Sequence, residues 1–301
     1  MPYQWYPGHM TKAKRMMQEQ MKLIDLVIEL VDARVPMSSK NPDIDQLAQN
    51  KSRLILMNKA DLADPVQSDR WIAYFRERGI AALTLDSRNN KGMQAIHQTI
   101  QEVCREKTER DRKRGILNRP IRAMVAGIPN VGKSTFINSF AGRACTKTGN
   151  KPGVTKGKQW IRLNKNVELL DTPGILWPKF DDQAVGERLA FIGSLNDEIV
   201  NREELALNLL SFLHRAYAGM VEKYYSLEAA EPGDCFDAVN MLSQIAQTRG
   251  CLLPGHTLDL FKASCLLLDD FRLGKLGRIT LEFAPQSEQH LEADGVTEES
   301  I

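Results

Sequence analysis

Apolar residues recur along this 301-residue chain in two rhythms, and the change from one to the other divides it. Up to about residue 178, short and almost uninterrupted apolar runs alternate with longer stretches of three- and four-residue spacing. The runs lie at 23–31, 53–57, 80–85 and 121–126, then at 159–163 and 166–170, and each reads as a strand. The stretches between them, at about 12–22, 43–48, 66–78 and 92–105, with another after Thr135, read as helices. Gly79 stops the third, and Thr11 is placed to cap the first after the turn signal Trp5-Tyr6-Pro7-Gly8-His9-Met10. Buried strands separated by helices predict an α/β domain with a mostly parallel sheet covered on both faces. Past Trp177-Pro178 the strand rhythm stops, and segments at about 182–195, 202–218, 235–248 and 257–271 show helical spacing only. The expected division is an α/β domain over 1–178, an all-helical domain over 179–284 and an acidic, disordered tail over 285–301.

Charge sharpens this picture. The formal net charge of +2 conceals a polarity, because 285–301 holds five acids and no Lys or Arg, which leaves +7 for the rest. Two zones are basic: 105–122 has eight Lys or Arg against three acids, and 143–165 has seven with no acid. Such runs are often only solvated faces, but uncompensated charge beside a phosphate-binding loop points to a polyanion partner. Apolar residues at 43% against 26% charged suit a soluble globular chain, and no run approaches the roughly 18 apolar residues of a membrane span. The start, Met1-Pro2-Tyr3-Gln4-Trp5, lacks the order of a signal peptide, and no lipidation motif or basic amphipathic anchor favours a membrane switch. Five scattered cysteines without a C-x-x-C pair predict reduced thiols, with neither zinc nor disulfides. A cytoplasmic monomer is the expectation.

The run 121–126 leads into Gly127-Ile128-Pro129-Asn130-Val131-Gly132-Lys133-Ser134-Thr135, which fits the phosphate-binding pattern G-x-x-x-x-G-K-[ST]. Its glycines let the backbone from Asn130 to Thr135 curl round a phosphate at a helix N-terminus, Lys133 reaches the outer phosphates, and Ser134 offers a hydroxyl to Mg²⁺. An ordinary Gly-rich turn would lack the flanking strand and helix. Asn58-Lys59-Ala60-Asp61 ends another strand. A carboxylate at Asp61 can accept both N1–H and the 2-amino group of guanine, which adenine cannot offer, so the contact selects GTP; alone, the tetrapeptide would serve equally as a helix cap. Asp171-Thr172-Pro173-Gly174 ends a third strand, where Asp171 would hold Mg²⁺ through a water and the Gly174 amide would bond the γ-phosphate. Thr155, in the Gly/Lys-rich segment, is the candidate for a second hydroxyl on the metal. Asp86 and Ser87 would brace the base from its far side.

The order of these motifs is informative. In Ras-type GTPases the phosphate loop comes first, followed by the switch threonine, D-x-x-G, N-K-x-D and a serine-bearing loop; here the last two come first. The set in this order resembles the circularly permuted GTPases, and the phosphate loop is similar to that of the Era-like branch. Tyr6-Pro7-Gly8-His9-Met10 and Asp32-Ala33-Arg34-Val35-Pro36 resemble the YlqF/RbgA group of ribosome-assembly GTPases. The motifs cover the first 178 residues, and beyond them the likeness is architectural. It implies a GTP hydrolase that assists assembly of the large (50S) ribosomal subunit, binding rRNA in the GTP state and leaving on hydrolysis. The alternative is an RNA-binding scaffold that holds GTP as a structural ligand.

Catalysis has a gap. Ras-type enzymes orient the attacking water with a glutamine after D-x-x-G, whereas Ile175 stands there and cannot hold water, so the bare enzyme should be slow and stimulated by the subunit. His9 could position that water from its Pro-Gly turn, or merely pack near the N-terminus; the resemblance implies the catalytic role, beside Lys133. Asn130 resembles the loop asparagine of GTPases that place K⁺ beside the phosphates. His97, His214, His256 and His290 have no metal-ligand spacing. Asp32 and Arg34 are either a strand-end ion pair or part of the nucleotide surround.

Overall fold

The structure, a computed structural model, describes residues 8–117, 119–146, 159–163, 165–174, 176–177, 182–227 and 236–285, with the backbone alone at 8–10, 13, 159 and 199. Aliphatic runs set its centre. In chain order, α1 (Gly8–Gln20) leads to β1 (Leu26–Asp32), α2 (Pro42–Leu47), β2 (Ser52–Asn58), α3 (Pro65–Glu77), β3 (Ala81–Thr84), α4 (Met93–Val103) and α5 (Arg105–Lys113). Then come β4 (Ile121–Gly127), α6 (Lys133–Ala141), β5 (Gln159–Arg162) and β6 (Val167–Asp171). The strands form one sheet in the order β3-β2-β1-β4-β6-β5, parallel except for β5, which runs antiparallel to β6. This is the mostly parallel α/β sheet that the apolar runs predict.

Alternation along β2 shows how the sheet is covered. Ile55 and Met57 pack with Trp71 and Phe75 of α3, while Leu54 and Leu56 face the larger core with Ile96 and Ile100 of α4 and Phe136 of α6. Both faces are therefore dry, which is what a parallel sheet requires. β1 and β4 are neighbours, yet the chain runs outward from β1 to β2 and β3 on one side and from β4 to β6 on the other. Loops leaving the two central strands part at that point and open a crevice at the carboxyl edge of the sheet.

Beyond residue 181 the chain is helical: α7 (Gln183–Phe191), α8 (Arg202–Ala216), α9 (Met220–Tyr225), α10 (Ala238–Thr248) and α11 (Leu260–Arg272). Four starts are fixed by Asx caps, since Asp182, Asn201, Asp237 and Asp259 each accept a backbone N–H of the first turn. Leu205, Leu209 and Leu213 of α8 pack with Leu242 and Ile245 of α10 and Leu267 and Phe271 of α11. After α11 the chain turns back as a strap over 275–285, lying on the α/β domain. Leu281 N donates to Arg34 O at 2.8 Å, Trp71 Nε1 donates to Glu282 O at 2.7 Å, and the Glu282 carboxylate accepts from Met37 N and Ser38 N.

Three local expectations change. α1 begins at Gly8, so His9 and Met10 lie in its first turn and not in a turn capped by Thr11; once the helix starts earlier, no cap at Thr11 is needed. The basic stretch after Cys104 is a helix, α5, supported by i,i+4 ion pairs Lys107–Asp111 and Arg105–Glu109 that a count of net charge conceals. The short helix α9 lies in a stretch that the apolar spacing left unassigned. Pro285 apart, the acidic tail lies outside the described residues.

Trp71 is 2% exposed and joins α3 to the strap. Trp71→Ala should reduce stability by about 3–5 kcal/mol, through the vacated volume and the orphaned Glu282 carbonyl. Equilibrium denaturation checks this, and a loss below ~1 kcal/mol would mean that Trp71 does not anchor the strap.

Candidate nucleotide site

The phosphate loop joins β4 to α6, and its glycines are dictated by what approaches them. At Gly127, with φ of +151°, a Cβ would stand 2.5 Å from the carbonyl oxygen of Leu30 on β1. At Gly132, with φ of +99°, a Cβ would strike the side-chain amide of Asn58. Lys133 opens α6 and is buried, its Nζ donating to Gly127 O at 3.0 Å and Ile128 O at 2.7 Å. Burial pulls its pKa down to about 8, with the Asp171 carboxylate resisting. Asp171 lies at the end of β6, 1% exposed, and among the described residues no hydrogen bond engages either carboxylate oxygen. Burial raises its pKa to about 6 against the pull of the Lys133 ammonium.

Two orphaned carboxylate oxygens beside the Lys133 ammonium and the Ser134 position fit a divalent cation that completes its shell with phosphate and water. Among the described residues no three His, Cys, Asp or Glu side chains could hold a metal by themselves. Bound there, the ion would neutralise developing charge on the phosphates.

The base end is built from the loops after β2 and β3. Asn58 is buried, its Nδ2 donating to Val131 O at 2.8 Å and its Oδ1 accepting from Ser87 N at 3.2 Å. It thus braces the phosphate loop against the serine-bearing loop. Asp86 shapes that second loop, accepting from Arg88 N, Asn89 N and Asn89 Nδ2. Ser139 of α6 closes the circuit by donating to Ser87 O at 2.7 Å. Asp61 is exposed, and no hydrogen bond or ion pair engages its carboxylate among the described residues. Of this group it is the side chain free to meet a base.

Asp32 and Arg34 form a strand-end ion pair, and Arg34 also lines the cleft. Arg34 donates Nε and NH2 to the two oxygens of Asp32 at 2.9 Å each, and Lys59 Nζ lies 2.9 Å from Asp32 Oδ2. Burial would push the Asp32 carboxyl up, but Arg34 and Lys59 together hold it well below the usual carboxylate range. Arg34 also lies over the Phe271 ring at 5.3 Å and lines the cleft.

The cleft, about 530 Å³, runs from Thr135 and Gly132 past Asn58, Asp61 and Ser87, and its outer wall comes from the helical unit through Gly193, Asp197, Asp269 and Arg272. Two hydrogen bonds attach that wall to the phosphate loop. Asn130, left-handed at φ 60°, donates Nδ2 to Gly193 O at 2.8 Å, and Ser194 Oγ donates to Pro129 O at 3.1 Å. Arg272 fixes the turn after α7 by donating to Ala190 O, Phe191 O and both oxygens of Asp197. Gly174 packs on the other side, where a Cβ would stand 2.8 Å from Lys133 Nζ.

The structure therefore brings Asn58, Lys59, Asp61, Asp86, Ser87, Asn130, Val131, Gly132, Lys133, Ser134, Thr135, Asp171 and Gly174 to one edge of the sheet. Thr155 and Ile175 lie outside the described residues, as does the side chain of His9. Gly193, Ser194, Asp197 and Arg272 have no motif that would reveal them, because they act through backbone carbonyls and long-range packing.

Comparisons with known proteins agree with this geometry. A family model described as a 50S ribosome-binding GTPase matches residues 122–226, a span that begins at β4 and leaves out the Asn58–Asp61 loop that precedes it. The chain is similar to ribosome biogenesis GTPase A of Bacillus cereus, 46% identical over 94% of each chain. The Thermotoga maritima protein of that name is 30% identical over 92% of this chain and 93% of its own. Among solved structures, GNP-bound YlqF from T. maritima superposes with a TM-score of 0.66 at 25% identity, covering 92% of this chain and 100% of that one.

Asp171 gives the site a pH signature. Folded, it titrates near 6, against the 3.8 of an ordinary aspartate, so the folded chain binds the extra proton between those values. The sign follows: this contribution to stability is full below about 3.8, declines as pH rises, and is gone above about 6. Its size is on the order of 3 kcal/mol. Denaturation of the nucleotide-free protein across that window should show the decline, and Asp171→Asn should flatten it; the same slope in the variant would exclude Asp171 as its source.

Proposed function

Since the chain belongs to the ribosome biogenesis GTPase A family, we propose that this GTP hydrolase assists assembly of the large (50S) ribosomal subunit, binding rRNA with GTP in place and leaving after hydrolysis. What supports the coupling most directly is the bonding of the helical unit to the phosphate loop through Asn130–Gly193 and Ser194–Pro129. A change at the phosphates is then transmitted to a surface that can meet RNA. The basic zones 105–122 and 143–165 flank the same domain and supply charge for phosphodiesters. The division into a GTPase domain over 1–178, an RNA-binding helical domain over 179–284 and an acidic tail belongs to this proposal, as does work as a monomer in the cytoplasm. Among the described residues no helix is long and apolar enough to cross a membrane.

Within the cleft, the amides at the start of α6 and the Lys133 ammonium hold the phosphates, and Asp61 reads guanine. Asp171 and Ser134 take Mg²⁺ with Thr155 as a further ligand, and the Gly174 amide reports the γ-phosphate. Asn130, whose Nδ2 is held by Gly193, has Oδ1 left for K⁺. His9, in the first turn of α1, positions the attacking water.

Two measurements test this. Steady-state GTP hydrolysis should be slow alone and rise at least about tenfold with large subunits, the scale that a completed catalytic constellation provides; equal rates with and without them would count heavily against the assembly role. His9→Ala should remove most of that stimulated rate, about 10²-fold or more, while GTP affinity stays within about twofold. Unchanged turnover would take His9 out of the mechanism.

A further inference from the structure

The loop that carries Asp61 is held less by its own domain than by the strap behind α11. Arg278 donates Nε to Ala63 O at 2.8 Å and NH2 to Ala60 O at 2.9 Å. Ile279 N donates to Leu62 O at 2.9 Å, and Asp64 N donates to Thr280 Oγ1 at 3.0 Å. Backbone groups on both sides of Asp61 are thereby fixed by residues more than 200 positions away. Leu62 is also wedged against Gly274, where a Cβ would stand 2.5 Å from Leu62 Cδ2. The loop's tie to the sheet between these points is the bond from Ala60 N to Leu85 O at 3.1 Å.

The strap in turn is tied to the helical unit. The Tyr217 hydroxyl, at the end of α8, accepts from Thr280 N at 2.9 Å and donates to Thr280 O at 3.1 Å. Thr280 is fully buried and Ile279 1% exposed, so the strap is packed and not loosely draped. A displacement of α8 would pass through Tyr217 to Thr280 and from there to the peptides that flank Asp61. Because no hydrogen bond or ion pair engages the Asp61 carboxylate among the described residues, its position follows those peptides.

We propose that the strap, with Arg278 as its positioning residue, sets the geometry of the guanine-recognition loop, so that a partner which moves the helical unit changes the tightness and selectivity of guanine-nucleotide binding. The proposal rests on Asp61 being the guanine contact. It makes nucleotide exchange, and not hydrolysis alone, responsive to docking.

The test uses the full chain and calorimetric titration with GDP and IDP. IDP lacks the 2-amino group, so a displaced Asp61 loses two bonds to GDP and one to IDP, whereas a general loosening of the cleft weakens both alike. Arg278→Ala should weaken GDP about tenfold and IDP several-fold less, shrinking the preference between them, and Arg278→Lys, able to reach one carbonyl, should recover part. Tyr217→Phe, remote from the nucleotide, should shift the preference in the same direction by less. Unchanged affinities in folded Arg278→Ala, or equal losses for both nucleotides, would overturn the proposal. Should Arg278→Ala not fold, Arg278→Lys and Tyr217→Phe decide, and unaltered preference in both rejects it. Asp61→Asn separates the two premises, since an amide there should favour XDP over GDP. Failure of that switch would remove the base-contact premise, whereas a successful switch with inert Arg278 variants would reject the strap alone.

Discussion

One buried carboxamide keeps the two ends of the cleft in register. Asn58 donates to the phosphate loop at Val131 O and accepts from the serine-bearing loop at Ser87 N, so neither loop can shift without orphaning a polar group shielded from water. Leaving such a group unpaired costs about 1–3 kcal/mol, which exceeds the net value of making the bond. Gly132 is glycine because Asn58 lies where a side chain would go. Ser139 repeats the link from α6 to Ser87, which makes the brace a closed circuit. The Asn58–Asp61 loop, the loop at Ser87 and the phosphate loop are consequently one braced unit whose parts lie far apart in the chain.

Two buried aspartates at the carboxyl edge of this sheet have opposite fates. Asp32 is neutralised on both oxygens by Arg34 and Lys59, and the pair fixes Lys59 at the edge of the cleft. Asp171, two strands away in the sheet order, is as deeply buried, yet among the described residues no hydrogen bond engages either of its oxygens. A carboxylate so placed costs stability when ionised unless a cation joins it, whereas Asp32 already has its counter-charges. Charge type and position along a strand cannot distinguish the two; the partners do.

How much of this was legible in the sequence follows from the range of the interactions. The sheet could be read because buried parallel strands must be aliphatic on both faces, and the nucleotide edge because phosphate, metal and guanine each demand particular residues next to a strand end. Asn58 was legible as part of a motif but not as a brace, since its partners are a backbone carbonyl and a backbone amide in other loops. Asp32 and Arg34 could not be assigned, because an ion pair and a pocket wall require the same residues. α5 was missed because i,i+4 pairing hides inside a basic run, and the start of α1 because a Pro-Gly pair signals a turn or a helix start equally well. The contacts from Gly193, Ser194 and Arg278 were illegible for a deeper reason: each involves a main-chain carbonyl, as acceptor or as the group offered, and every residue has one.

Permutation explains why such contacts arise here. With the base-recognition loop placed in the first third of the chain and the phosphate loop in the middle, the segment leaving Gly174 is free to build the helical unit, and the segment leaving that unit is free to return. It returns to the base loop. The helical unit therefore grips the nucleotide cleft at both ends, at Pro129 and Asn130 beside the phosphates and at residues 60–64 beside the base. Asn58 joins those two ends directly, so a force applied to the helical unit is resisted by the cleft as a whole. In an unpermuted chain the counterpart of the Asn58–Asp61 loop would instead follow the phosphate loop and lead directly toward a downstream domain; here that domain reaches the loop only through the chain's own return.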